Sequence, residues 1–162
     1  MSDRYLFKAK RVDNGEQIVG GLVKYGFVGK EKYYIIPDYA SDLYAIEIDP
    51  NTICQCTGLT DKNGNLIWEN DVVEFFGHKG VIVCECGSFG IAYKTLIDWE
   101  EIQSNIKCVT GCENILYACE NDNFISLWEI CWNFNDEDNS LCTVEIAGNI
   151  FDNPELIKES DT

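Results

Sequence analysis

Nine cysteines, one histidine and twenty-eight carboxylates are the residues of this 162-residue chain whose types could do chemistry. A metal site would have to draw on the tight pairs Cys54/Cys56 and Cys84/Cys86. Structural zinc sites space paired cysteines by about two to four intervening residues, so each pair is one residue too tight. Strand alternation also places Ile82, Cys84 and Cys86 on one face, opposite Val81, Val83 and Glu85, with the thiols toward the core. The cysteine count is odd and no signal peptide is visible in the opening residues, so a disulfide framework is not expected. The expectation is nine small, buriable hydrophobes in a reducing compartment, with no metal and no cofactor.

Nucleophilic hydrolysis needs a base beside the nucleophile. His78 is the only histidine, and the string Gly77-His78-Lys79-Gly80 predicts an exposed turn. A cysteine–histidine pair would have to use Cys84, whose strand position points it inward. No glycine-rich phosphate loop precedes a helix. Asp61, Asn63 and Asn65 resemble the start of a calcium loop, but the glycine is misplaced and no glutamate closes it. Asn63-Gly64 supplies the positive φ angles of a tight hairpin instead. No reaction is predicted, and no residue is assigned to one: the expectation is a protein that is not an enzyme.

Charge is the feature that remains. Residues 98–162 carry fifteen acids against Lys107 and Lys158, a net of −13, whereas residues 1–97 carry a net of −3. Such a field repels nucleic-acid phosphates and anionic lipid and attracts basic surfaces. Lys8, Lys10 and Arg11 form a small basic cluster, too small to reverse a total of −16, so direct nucleic-acid binding is disfavoured. No stretch approaches the roughly 18 apolar residues of a membrane span.

The elements that must position these groups are mainly strands. Extended runs are expected at residues 5–10, 17–25, 32–36 and 45–48, with an Asp13-Asn14-Gly15 turn. A strand–turn–strand follows over residues 70–86, a third strand at 87–93, and a further strand at 142–150 with Cys142, Val144 and Ile146 sharing a face. Leu96, Trp99, Ile102, Ile106 and Val109 recur at helical spacing, predicting an amphipathic helix capped by Asp98 and ending near Gly111. A second short helix is expected from 113 to 119. Over residues 124–134 a strand would align Phe124, Trp128, Ile130, Trp132 and Phe134 on one face, although periodicity leaves helix open there.

The string from Ile48 to Val73 resembles the YopX family of phage and prophage proteins, above all in Thr57-Gly58-Leu59 and in Lys62-Asn63-Gly64. Phe7-Lys8-Ala9, Gly87-Ser88-Phe89-Gly90-Ile91 and the stretch from Glu145 to Leu156 agree in family order. Cys56 stands where the family has an aromatic, Asn70 where it has glycine, and residues 98–140 look longer and more acidic. The resemblance implies a β-rich, homo-oligomeric phage protein in the cytoplasm of an infected bacterium, and carries over no catalytic residue. Gly58, Gly64, Asp71 and Asn153-Pro154 read as turn and backbone-geometry residues.

These readings combine into a mainly β (α+β) fold: a small bent sheet or SH3-like barrel with an inserted acidic α/β segment. The β-rich domain is assigned to residues 1–97 and 141–157, the acidic insertion to 98–140, and a tail to 158–162. The expected function is that of a phage-encoded, non-enzymatic accessory protein that blocks a host defence protein through an acidic surface acting as a nucleic-acid mimic. Partner-binding residues are Glu100, Glu101, Asp136, Glu137 and Asp138 with Trp99, Trp128 and Trp132 as aromatic anchors. The alternative is a homo-oligomer that sequesters a small nucleotide-type immune signal between subunits, with no ligand residues assigned.

Overall fold

A computed structural model describes residues 3–39, 44–94, 97–110, 123–134 and 140–157. The chain divides into two compact units, residues 1–58 and 59–162. The mainly β, α+β class holds, with the strands divided between two sheets rather than closed into one small barrel. No helix among the described residues is long and apolar enough to cross a membrane.

In the first unit, β1 (Phe7–Lys10), β2 (Gln17–Tyr25), β3 (Lys32–Pro37), β4 (Ile46–Glu47) and β5 (Cys54–Thr60) take the order β4-β3-β2-β1-β5. Strand alternation carries Ala9, Ile18 and Ile35 to one face, where they meet Ile46 and Ile48 in a small core. β5 continues across the unit boundary at Gly58 (φ 78°), and β6 (Leu66–Trp68) hydrogen-bonds beside it.

The second sheet has the order β10-β9-β8-β7-β11, built from β7 (Asp71–Phe75), β8 (His78–Glu85), β9 (Ser88–Ala92), β10 (Phe124–Ser126) and β11 (Val144–Asn149). Its two central hairpins use the same device. Phe75 pairs with His78 and Glu85 with Ser88, leaving two-residue turns at Phe76-Gly77 and Cys86-Gly87. All four turn residues have positive φ (48° and 82°, then 50° and 80°), the twist that suits right-handed strands.

That register corrects three expectations. His78 is not in the turn: Phe76 accepts the positive φ, so His78 opens β8, half-buried. Cys84 and Cys86 are exposed, because Ile82 is the last core residue of β8 and Cys86 belongs to the next turn. His78 and Cys84 also lie six positions apart on one strand, about 20 Å at the usual rise, so they form no nucleophile pair. Cys54 and Cys56 are buried as expected, and among the described residues no three His, Cys, Asp or Glu gather around a metal-sized site.

The helical expectation at 99 holds. α1 spans Trp99–Thr110, and Asp98 Oδ1 accepts the N–H groups of Glu100 and Glu101 at 3.0 and 3.2 Å. Ile102 and Ile106 are buried beneath it. Over 124–134 the strand reading fails after three residues. Ser126 Oγ accepts the Trp128 N–H and starts α2 (Leu127–Asn133), so the period changes from 2 to 3.6. Trp128 and Ile130 therefore part company: Leu127 and Ile130 are buried, Trp128 and Trp132 exposed. Cys142 is likewise exposed, in a turn before β11, while Val144 is buried. The short helix expected at 113–119 lies outside the described residues.

Buried residues from α1, β10 and α2 share one core with Val73, Phe75, Ile82 and Ile91. The described parts of residues 98–140 thus help build the second unit. β11 is the edge of this sheet, and the turn after β5 covers that edge. Lys62 N–H donates to the Val144 carbonyl at 2.9 Å, and Asp61 Oδ2 accepts the Ile146 N–H at 3.1 Å beside a register shift in β11. Asp61 Oδ1 accepts the N–H groups of Asn63 and Asn65, both at 2.9 Å. Burial alone would raise the Asp61 carboxyl, but these backbone donors outweigh it and hold its pKa below the ordinary value.

Asp71 plays a matching part. Its Oδ2 accepts the Trp68 N–H at 2.8 Å, and its Oδ1 accepts from Asn149 Nδ2 at 3.1 Å. Asn70, before it, has φ 67°, a conformation that glycine and asparagine accept more readily than other residues.

A carboxyl with a lowered folded pKa stabilises above its unfolded pKa of about 3.9, and the contribution is lost as pH falls through the folded value. Asp61→Asn replaces one acceptor with an amide facing the Ile146 N–H; urea titration at neutral pH is expected to show a loss of about 2–4 kcal/mol. The variant should also lose part of the wild-type acid sensitivity. Asn70→Gly should leave stability within about 1 kcal/mol of wild type, whereas Asn70→Val should cost about 1–2 kcal/mol in the same assay.

Candidate functional site

α2 is short because its sequence serves two surfaces. Ser126 starts it, Leu127 and Ile130 anchor it, and the four-residue spacing puts Trp128 and Trp132 on one outward face. Their ring centroids are 5.9 Å apart with planes inclined by 30°, and the residues are 68% and 71% exposed. Two large aromatics so exposed and in mutual contact form an apolar platform on the outer side of α2. Tryptophan is also the residue most enriched among interface anchors.

Of the sequence-predicted set, the structure brings together Trp128 and Trp132. Glu100 and Glu101 are exposed in the first turn of α1, where their charge faces the positive end of the helix dipole. Their side chains form no ion pair among the described residues. Trp99 opens α1, and the orientation of its side chain is outside the description. Asp136, Glu137 and Asp138 also lie outside the described residues, in the segment directly after α2.

Charge follows the division into units. Residues 1–58 hold eight acids and seven basic residues, a net of −1, while residues 59–162 hold twenty acids and five lysines, a net of −15. Among the described residues of the acidic unit there is a local reversal, which sequence reasoning missed. A cleft of about 300 Å³ is lined by His78, Lys79 and Lys94 together with Val72, Val81 and Tyr93. The available signal was the placement of two of that unit's five lysines within two residues of β8 and β9, obscured by assigning His78 and Lys79 to a turn. In the first unit, the β2–β3 connection exposes Phe27 (88%) and Val28 (98%) beside Lys24 and Lys32, whose charges are paired with Glu31 and Glu47.

A family model described as YopX protein matches residues 27–158, and the chain belongs to the YopX family. No curated protein matches it. The family stretch from Glu145 to Leu156 contributes structure: Gly148 has no Cβ to collide with Asn153 Oδ1 and Leu156 Cδ1 at 2.6 and 2.7 Å. Asn153 Oδ1 in turn accepts the Asn149 N–H at 3.4 Å.

If the tryptophan pair is a surface feature, its removal should barely alter folding. Trp128→Ala and Trp132→Ala are expected to stay within about 0.5 kcal/mol of wild type in urea, the range of surface substitutions. Ile130→Ala, from the buried side of the same helix, should cost about 2–5 kcal/mol.

Proposed function

We propose that this YopX-family protein is a phage accessory protein that binds and blocks a host defence protein without catalysing a reaction. The observation that carries the reading is the exposed Trp128–Trp132 pair, mounted on a helix whose opposite side is anchored in the core. Rigid aromatic anchors lose little side-chain entropy on binding and concentrate affinity at the centre of an interface. Around them the surrounding unit carries a net charge of −15, which steers association toward a basic surface and disfavours acidic ones.

In this reading Trp128 and Trp132 fill pockets on the target. Glu100, Glu101, Asp136, Glu137 and Asp138 supply negative charge to the contact, in the manner of phosphates on a nucleic-acid strand. The partner is then a protein with a basic, nucleic-acid-binding groove.

Affinity capture from host lysate with wild type, Trp128→Ala/Trp132→Ala and Asp136→Lys/Glu137→Lys/Asp138→Lys tests the reading. The same host protein should be retained by wild type, lost from the tryptophan variant, and weakened in the charge-reversed one. Re-measured with the purified target, each tryptophan should account for at least about 2 kcal/mol, a roughly thirtyfold change in Kd. Equal capture by all three proteins would refute it.

A further inference from the structure

The cleft beside β8 is a separate feature from the tryptophan platform, and its chemistry is opposite in sign. Its floor is the outer face of the second sheet, where register aligns Val72, Val81 and Ala92 across three strands. Leu156 and Ile157, from the 3-10 turn Pro154–Ile157, roof that apolar strip. The roof comes close because residue 148 is glycine, as the Leu156 approach requires. Tyr93 borders the cleft from the core side: its ring is buried with Ile82 and Ile91, and a Cβ on Gly80 would meet it at 2.9 Å.

At the mouth stand Lys79, Lys94 and His78. Lys79 lies opposite Glu74 in the β7–β8 ladder, so part of its charge is offset by that neighbour. Lys94 has no ion-pair partner among the described residues. A unit of net charge −15 therefore presents cations beside an apolar floor and roof. That combination suits a ligand with a planar, apolar body and an anionic end. Lysine ammonium groups act on phosphate as mobile point charges and need no fixed fork geometry.

Size narrows the class. About 300 Å³ is the low end of small-molecule sites, enough for one ring system with a phosphate. The overall charge narrows it again. At physiological salt, fields decay over about 8 Å, so a small anion in the cleft responds chiefly to the local lysines. A polyanion would extend over the acidic surface and be repelled.

We infer that this cleft is a binding site for a single mononucleotide-class ligand, an aromatic base or similar ring bearing phosphate. It lies within one chain and needs no second subunit. The ring packs between the Val72–Val81–Ala92 floor and Leu156, and the phosphate meets Lys94 and Lys79. This inference does not rest on the protein-blocking reading above.

Calorimetric titration of the full chain with adenosine monophosphate, adenosine, inorganic phosphate and a short single-stranded DNA tests it. Adenosine monophosphate should bind, with adenosine and phosphate each at least about tenfold weaker and the DNA not bound. Amide NMR shifts on adding the nucleotide should centre on Gly77, Gly80 and Ala92. Lys94→Glu, at an exposed position, should weaken binding about tenfold or more with an unchanged far-UV CD spectrum, and Lys79→Gln should weaken it less. Trp128→Ala/Trp132→Ala should leave it unchanged, which separates this site from the platform on α2. The inference is overturned by no binding of the nucleotide, by equal binding of adenosine or phosphate, by tighter binding of DNA, or by an unaltered affinity in Lys94→Glu.

Discussion

An edge strand presents a row of unpaired backbone groups, and β11 is such an edge. The structure answers it with a carboxylate rather than with another strand. Asp61 is fully buried, yet both of its oxygens are occupied by backbone N–H groups, two from its own turn and one from Ile146 across the edge. The Lys62 N–H reaches the Val144 carbonyl in the same region, so the turn behaves as a short surrogate strand. The geometry of Gly64 (φ 82°) closes the turn tightly enough for this. A buried charge is costly unless it is fully hydrogen-bonded, and here backbone donors provide that satisfaction.

Asp71 extends the same logic to the other end of β11. It joins the end of β6 to Asn149 through Trp68 N–H and the Asn149 side chain. Asn149 Oδ1 then accepts the Phe151 N–H, and Asn153 faces the Gly148 backbone. The turn after β5, the start of β7 and the C-terminal stretch are thus held together by polar side chains of the family pattern. Their roles are architectural, and the surfaces that differ in chemistry, the tryptophan face of α2 and the lysine-bearing cleft, are carried by this frame.

Much of this frame was legible as local chemistry. Asn63-Gly64 specified a turn, Asp98 with Glu100 and Glu101 specified a helix start, and Ile102 and Ile106 specified its buried side. Alternation placed β1 to β4 because each had one core face. Errors arose where one residue stood between two competing local rules. Gly77 and Gly80 both suit a turn, and only the pairing of Phe75 with His78 shows which one makes it. Ser126 precedes a run whose apolar residues satisfy both periods, so the change from strand to helix was hidden. The tryptophans were identified as anchors from their type, but their mutual contact needed the helical period. The cleft escaped because its lining comes from strands and a C-terminal turn far apart in sequence.

Composition, charge balance and turn chemistry are properties of short stretches, so the sequence alone determined the β-rich class, the acidic character and most element starts. Only the tertiary structure decided that Asp61 serves β11, that Cys84 faces outward, and that Lys79 and Lys94 share a cleft with Leu156. Those outcomes depend on strand register and on contacts between distant segments. A shift of one residue moves every side chain to the other face, and local propensity carries no information about which register the whole core will select.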